Sequence, residues 1–436
     1  MLSTKVPRFF FGAHSKFAII GGGTGGLNVS AHLRKEKGIK DTDIRVFEPN
    51  AQHYYQPAWT MVAGDIYDIK DTVKITRDLV PKNVPVTQLA VTKVDPETNT
   101  IYTEDGDSYT YDYLIISTGI NLNYEGIKGA VEALEDPNAP VGSAYSKAYA
   151  VKQQKILQNF QGGTFLFHEP PMPIKCAGAP QKVTFLSECA LRKKGIRDNT
   201  NVQLNMAKGV VFGIPKYSEV LTEIHKEKNI NLNLNQKMIE VKKDENLAIF
   251  ENTQTGAKTS VKYDALHIVP PQVPPKFIKE SGLADESGFV SVDIHTLQHK
   301  QFKNVFSLGD SANLPTSKTA AAIFSQTPVL INNLLVQAKH EQTIPVWYKY
   351  EGYTSCPILI GGNKLVLAEF KYNNEVDETF PVDQGKAKNI FFRLKKDVFP
   401  FVYWNLVCKG KWYGRKHILP NIPGYNRLFK PTPADQ

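Results

Sequence analysis

The chain has 436 residues, too many for one ordinary hydrophobic core, so two or three domains are expected. Its 42% apolar and 22% charged content excludes a disordered chain, and four cysteines over this length exclude a disulfide scaffold. The formal net charge of +9 favours anionic partners: nucleic acid, acidic lipid or an anionic substrate.

Residues 1–16 carry Lys5, Arg8 and Lys16 beside Ser3 and Thr4, and the first acidic residue is Glu36. A basic, hydroxyl-bearing leader without acids is expected to be a mitochondrial targeting segment, with Arg8-Phe9-Phe10 as a processing site. Phe17-Ala18-Ile19-Ile20 then reads as a strand running into Gly21-Gly22-Gly23-Thr24-Gly25-Gly26 and a helix. The spacing of Gly21, Gly23 and Gly26 permits a tight turn whose backbone N–H groups approach a pyrophosphate, helped by the helix N-terminus. A second strand, 44–48, ends in Glu48, placed to accept from a ribose hydroxyl. The motif does not by itself separate FAD from NAD.

A strand over 113–116 ending at Thr118-Gly119, and a strand over 305–308 ending at Gly309-Asp310, resemble segments that close over FAD in the flavoprotein disulfide reductase superfamily. Lys318, Thr319, Ala320 and Ala321 open a helix whose N-terminus faces the flavin N1/O2 edge in this reading. These features assign residues 17–145 and 271–345 to one FAD-binding domain in two parts.

Residues 146–270 repeat the strand–helix alternation and form a second Rossmann-like domain. Its first turn, however, reads His168-Glu169-Pro170-Pro171-Met172-Pro173 where a glycine fingerprint would stand. Proline lacks the N–H that a phosphate needs, so NAD(P)H is not expected to be the electron source. His168 and Glu169 end a strand aimed at the flavin and are candidates for proton handling. Cys176 follows, just ahead of a helix starting near Pro180, where the helix N-terminus and Lys175 favour a thiolate. Cys356 sits in Tyr353-Thr354-Ser355-Cys356-Pro357 at the mouth of a hairpin formed by residues 358–367. Cys189 reads as core, and Cys408 as packing or lipid-facing. The spacing does not pair any two cysteines.

The segments Lys175-Cys176-Ala177-Gly178-Ala179-Pro180-Gln181-Lys182 and Tyr353-Thr354-Ser355-Cys356-Pro357 resemble the two cysteine motifs of the mitochondrial sulfide:quinone oxidoreductase family. His53-Tyr54-Tyr55-Gln56-Pro57-Ala58-Trp59-Thr60 and residues 313–322 are similar to the same family, and the likeness runs from about Phe17 to Gly414. The resemblance implies Cys176 and Cys356 as the redox pair, FAD as cofactor, and Gln56 and Val91 as further cofactor-binding residues. It also implies hydrogen sulfide and ubiquinone as substrates, a small sulfur acceptor (glutathione, sulfite or CoA), and monotopic attachment to the inner mitochondrial membrane. No nucleic acid and no metal are expected. A third redox cysteine found in many bacterial relatives has no counterpart here. A type-II NADH:quinone dehydrogenase and an apoptosis-inducing-factor-like flavoprotein share the FAD motifs. The first needs the missing second glycine motif, and the second a broad basic patch.

Residues 346–436 complete the expected α/β architecture: two tandem Rossmann-like dinucleotide-binding domains in three layers, then a hairpin and an amphipathic membrane tail. No run of about 18 apolar residues occurs, so the tail is expected to lie in the bilayer interface as two helices broken near Pro400. Phe391, Leu394, Val398, Phe401, Val402 and Leu406 form its apolar side. Tyr403, Trp404, Trp412 and Tyr413 are expected at the headgroups, with Lys395, Lys396, Lys409, Lys411, Arg415 and Lys416 toward acidic lipid.

Overall fold

The computed structural model describes residues 12–340 and 349–415. Most of the expected targeting segment, with Lys5 and Arg8, and the tail residue Lys416 lie outside the described residues. Ser15 and Lys16 already belong to the first strand, Ser15–Ile20.

Strands rich in Ile, Val and Phe, each followed by a glycine or small-residue turn, build the first sheet. Its parallel part runs Val86–Thr87, Ile44–Phe47, Ser15–Ile20, Ser108–Ile116 and Val305–Ser307. An antiparallel extension, Thr100–Thr103 and Val91–Asp95, is added on the early half of Ser108–Ile116. The register sets Ile20 opposite both Phe47 and Ile116, and Ile116 opposite Ser307. The four strand ends are therefore level, and the turns after them share one rim. In open parallel sheets that carboxyl rim is where ligands sit.

A second parallel sheet runs Val141–Gly142, Ala265–His267, Gly163–Glu169, Thr200–Met206 and Asn231–Asn233, with the helix Ala179–Lys193 packed on it. An antiparallel trio, Gln236–Lys242, Leu247–Asn252 and Lys258–Lys262, adjoins it. The hairpin Thr354–Gly361 with Lys364–Phe370 is longer than the sequence reading and wedges between the two halves. Its strands alternate: Leu359, Leu365 and Leu367 enter the first core, and Cys356, Ile358, Val366 and Ala368 the second.

The tail corrects the sequence reading in three ways. Pro400 does not split it: helical backbone continues from Asn389 to Val407, with wide turns over Leu394–Val398 and Tyr403–Val407. Pro400 falls in the first turn of the Phe399–Val402 segment, where the N–H that proline lacks is least needed. Tyr403 and Trp404 are not at a headgroup boundary but buried, at 0% and 7% exposure, against Tyr55 and His53. Lys395 is buried too, its amine donating to the Pro57 carbonyl at 3.0 Å. Cys408 packs in the main core rather than facing lipid. Among the described residues no helix is long and apolar enough to cross a membrane.

One face of the tail is thus core. Removing the chain after Val382 strips Phe391, Phe392, Tyr403, Trp404 and Cys408 from the first cluster. Each large core truncation costs about 2–5 kcal/mol, and several together exceed the roughly 5–15 kcal/mol that holds a native fold. The truncated protein is expected to be insoluble and flavin-free. A soluble, flavin-loaded product in a fractionation and absorbance assay would contradict this packing.

Candidate active site

A cavity of about 870 Å³ follows the rim of the first sheet and continues to the hairpin and the tail. Gly21, Gly23, Thr24, Gly25, Glu48, Gln56, Thr118, Gly119, Asp310, Lys318, Thr319, Ala320 and Ala321 all line it. Two of the sequence-predicted cofactor residues do not. Gly26 packs beneath the turn, where a Cβ would fall 1.8 Å from the Gly21 carbonyl oxygen, so its role is to seat the helix on the strand. Val91 starts an antiparallel strand and packs on the first core, away from the cavity. No periodicity in the sequence distinguishes it from a cavity residue.

The cradle fits a flavin dinucleotide. Glu48 is held by the Gly22 N–H and by Asn50, each at 2.8 Å, so its carboxylate is fixed beside the glycine turn, where it would meet the adenosine ribose. Asp310 Oδ1 and Thr118 Oγ1 are buried with no hydrogen-bond partner among the described residues. Ribityl hydroxyls would satisfy both, and a buried polar atom left unpaired is costly. Burial raises the Asp310 carboxyl against the pull of Lys318. The Lys318 amine is turned to the Asp310 and Ala312 carbonyls, at 2.8 and 3.1 Å, and over the Phe289 ring. Burial lowers it to about 8. The N-terminus of Ala320–Gln337, capped by Thr319, is left to present positive potential there.

The cysteines meet at the far wall. Cys176 takes a left-handed backbone, φ 56°, and its N–H donates to the Lys318 carbonyl at 2.8 Å. The helix Ala179–Lys193 starts three residues later with Pro180 in its first turn. Cys356 comes from the hairpin, and the two Sγ atoms lie 3.7 Å apart, both cysteines free. Gly178 makes the approach possible, since a Cβ there would sit 2.7 Å from Cys356 Sγ.

The two thiols are shifted in opposite directions. The hydrogen bond from Cys356 and the charges of Lys182 and Lys395 hold the Cys176 thiol well below its ordinary value, against burial. Donating to Cys176, together with burial, drives Cys356 upward. Lys182 Nζ is 3.0 Å from Cys176 Sγ, and the nearby thiols raise it despite burial. Burial and repulsion from Lys182 lower Lys395 to about 7. Burial likewise lowers Lys175, which donates to Gln56 Oε1 at 2.7 Å, to about 8. The sequence reading gives Lys182 no role, although its place six residues after Cys176, on the helix that follows, is a signal. Lys395 had no such signal.

His168 and Glu169 do not handle cavity protons as the sequence suggested, because neither lines it. His168 packs against Phe250, kept neutral as burial lowers it to about 3. Glu169 lies 2.6 Å from Lys208, raised by burial to about 7. His53 does line the cavity, its Nε2 2.5 Å from the Tyr403 hydroxyl, which also reaches Thr24 Oγ1 at 2.8 Å. Burial lowers His53 to about 4. Cys189 lies on a helix face, 3.2 Å from the Gly362 N–H and away from the pair.

Residues 15–161 match the pyridine nucleotide-disulphide oxidoreductase family. The mitochondrial sulfide:quinone oxidoreductase of Dictyostelium discoideum is 45% identical over 422 residues, covering 96% of this chain and 89% of the relative. That of Mus musculus is 40% identical, over 92% and 88%. The chain belongs to the sulfide:quinone oxidoreductase family. The sulfide:quinone oxidoreductase structure from Aquifex aeolicus superposes with a TM-score of 0.77 at 19% identity, over 94% of this chain and 96% of that one, which shows a common fold. Like its relatives in this family, the chain is an FAD-dependent oxidoreductase.

Within this family site, Lys182 is the closest cation to the Cys176 sulfur. Lys182→Met is expected to raise the midpoint of the pH dependence of Cys176 alkylation in the reduced enzyme by about one unit or more. The sign follows because losing the ammonium removes stabilisation of the thiolate only. An unchanged midpoint would show that Lys182 does not set this thiol.

Proposed function

We propose that this chain oxidises sulfide at the Cys176–Cys356 pair and that its electrons leave through FAD to ubiquinone at a membrane surface. The observation that carries the reading is the 3.7 Å approach of the two Sγ atoms, beside Lys182, in the same cavity as the dinucleotide cradle. The fold is read as an FAD domain in two parts, 17–145 and 271–345, and a second Rossmann-like domain, 146–270, that has exchanged its nucleotide turn for Cys176.

The oxidised pair is a Cys176–Cys356 disulfide or trisulfide. Sulfide is largely HS⁻ near neutral pH, and the lysines at 175, 182 and 395 make the wall electropositive, which concentrates it. In the disulfide form HS⁻ attacks the Cys356 sulfur; an S–S bond forms, the bond to Cys176 breaks, and Cys176 leaves as a thiolate. Lys182 is placed to hold that charge. The sulfane sulfur of the Cys356 persulfide passes to glutathione, sulfite or CoA, leaving Cys356 as thiolate. Closing the Cys176–Cys356 bond again releases two electrons. Bound FAD supplies the two-electron relay from this pair to the quinone.

The membrane reading rests on the exposed apolar residues of the tail helix, Ile390 at 59%, Phe401 at 61% and Val398, of which the last two also stand in the lining of the cavity. Exposed Lys409 and Lys411 follow it. This face suits an interfacial, monotopic attachment to anionic lipid of the inner mitochondrial membrane, with the buried face closing the flavin cavity.

Cys176→Ser and Cys356→Ser are each expected to abolish sulfide-dependent quinone reduction while FAD remains bound, because neither side chain belongs to the cradle. Cys189→Ser and Cys408→Ser should keep turnover, with a hydroxyl buried at Cys408 costing about 1–3 kcal/mol of stability. Full activity in either of the first pair sinks the mechanism.

The strand Gly163–Glu169 runs into Pro170, Pro171 and Pro173, so the turn after it has few N–H groups for a pyrophosphate. Stopped-flow mixing with NADH is expected to leave the flavin oxidised over turnover times, whereas sulfide bleaches it. Rapid bleaching by micromolar NADH would instead favour a type-II NADH:quinone dehydrogenase.

A further inference from the structure

Cys176 sits at φ 56°, in the left-handed region that a residue with a Cβ seldom adopts. Such a residue persists only where its surroundings over-determine it. Its N–H donates to the Lys318 carbonyl and its carbonyl accepts from the Ala179 N–H, each at 2.8 Å. The second bond lies within the same loop and moves with it. The first ties the loop to one point on the other domain, and a single point would leave it free to pivot.

Lys175, the residue before it, removes that freedom. Its N–H donates to Gln272 Oε1 at 2.8 Å, and its carbonyl accepts from the Tyr145 hydroxyl at 3.2 Å. Both side chains are buried. Tyr145 follows the strand Val141–Gly142 and Gln272 follows Ala265–His267, two neighbouring strands of the second sheet. Neither support is loose in its turn. The Tyr145 N–H donates to Ser143 Oγ at 3.3 Å, and the Ala144 N–H to His267 Nε2 at 3.0 Å. The Tyr145 ring packs with Ala179, Val269 and Cys176, while Gln272 pairs with Leu122 in a short two-stranded ladder. Burial, reinforced by the nearby Cys176, drives the Tyr145 hydroxyl well above its ordinary value, so it stays protonated as a donor.

We propose that Tyr145 and Gln272 are positioning residues for the redox pair. By holding both backbone polar groups of Lys175 they fix the Cys176 turn in its left-handed form, and with it the 3.7 Å approach to Cys356. This rests on Cys176 and Cys356 forming the redox bond. When the dithiol closes, one S–S bond forms, the two thiol protons leave and two electrons pass to the oxidant. Sulfurs already held face to face close that bond with little further ordering, so the tethers favour the disulfide.

The test is the dithiol–disulfide equilibrium of the pair in the full-length holoenzyme. It is poised anaerobically in buffers of reduced and oxidised dithiothreitol, quenched by alkylation and read peptide by peptide by mass spectrometry. Tyr145→Phe keeps the ring and removes the donor; Gln272→Met keeps the length and removes the acceptor. In each variant the disulfide-to-dithiol ratio at a given buffer is expected to fall about tenfold, the effect of losing one hydrogen bond, which raises the midpoint potential by about 30 mV. The pH midpoint of Cys176 alkylation should rise as well, because the Cys356 hydrogen bond that holds this thiol down is loosened. A merely structural role would lower the melting temperature and leave both readouts in place. A ratio within about twofold of wild type in either folded variant overturns the proposal. Wild-type enzyme that forms no Cys176–Cys356 disulfide in any buffer would remove the sulfide-oxidation reading, and the alkylation midpoints would then decide the role of the two side chains.

Discussion

One backbone hydrogen bond organises the site: the Cys176 N–H to the Lys318 carbonyl at 2.8 Å. It joins the loop after the second sheet's first long strand to the loop that opens the helix Ala320–Gln337 on the first sheet. With it, the segment carrying the thiol is tied to the rim that carries the dinucleotide cradle. The left-handed turn at Cys176 and the absence of a side chain at Gly178 then let Cys356 come within 3.7 Å. Loosening that tie would separate the thiol from the cradle without changing either.

The electrostatics follow from packing three lysines around one thiol pair. Lys182 is raised because it faces the thiols, whereas Lys395, repelled by Lys182, falls to about 7 and Lys175 to about 8 through burial. Buried cations usually discharge unless a partner is close. Here the Cys176 thiolate is the partner that Lys182 and Lys395 share, while the charge of Asp310 offsets the burial of Lys175.

The tail does two jobs with two faces. Tyr403 bonds both Thr24, at the start of the dinucleotide-binding helix, and His53, while Gly410 accepts from Lys35, in the turn just after that helix, at 2.6 Å. The tail therefore clamps the element that carries the cofactor turn. Its outer face keeps Ile390 and Phe401 in the open. Hydrophobicity alone does not separate these roles, because both faces are aromatic and apolar and both carry lysine.

The sequence by itself determined the local units. Gly21, Gly23 and Gly26 after an apolar strand require a tight strand-to-helix turn, and three prolines after Glu169 forbid a second one of that kind; such constraints act within a few residues and need no partner. It also determined, through motifs that cover nearly the whole chain, the family to which it belongs. Tertiary structure decided what lies across from what. A separation of 180 positions between Cys176 and Cys356 carries no information about a 3.7 Å contact. Lys395 reads as a lipid-facing lysine until the helix is docked, and then its amine is buried beside Pro57. Tyr403 and Trp404 read as interfacial aromatics until they are seen packed on His53 and Tyr55. Periodicity specifies that a helix has an apolar side, but which side meets protein and which meets solvent or lipid depends on the shape of the surface it docks against.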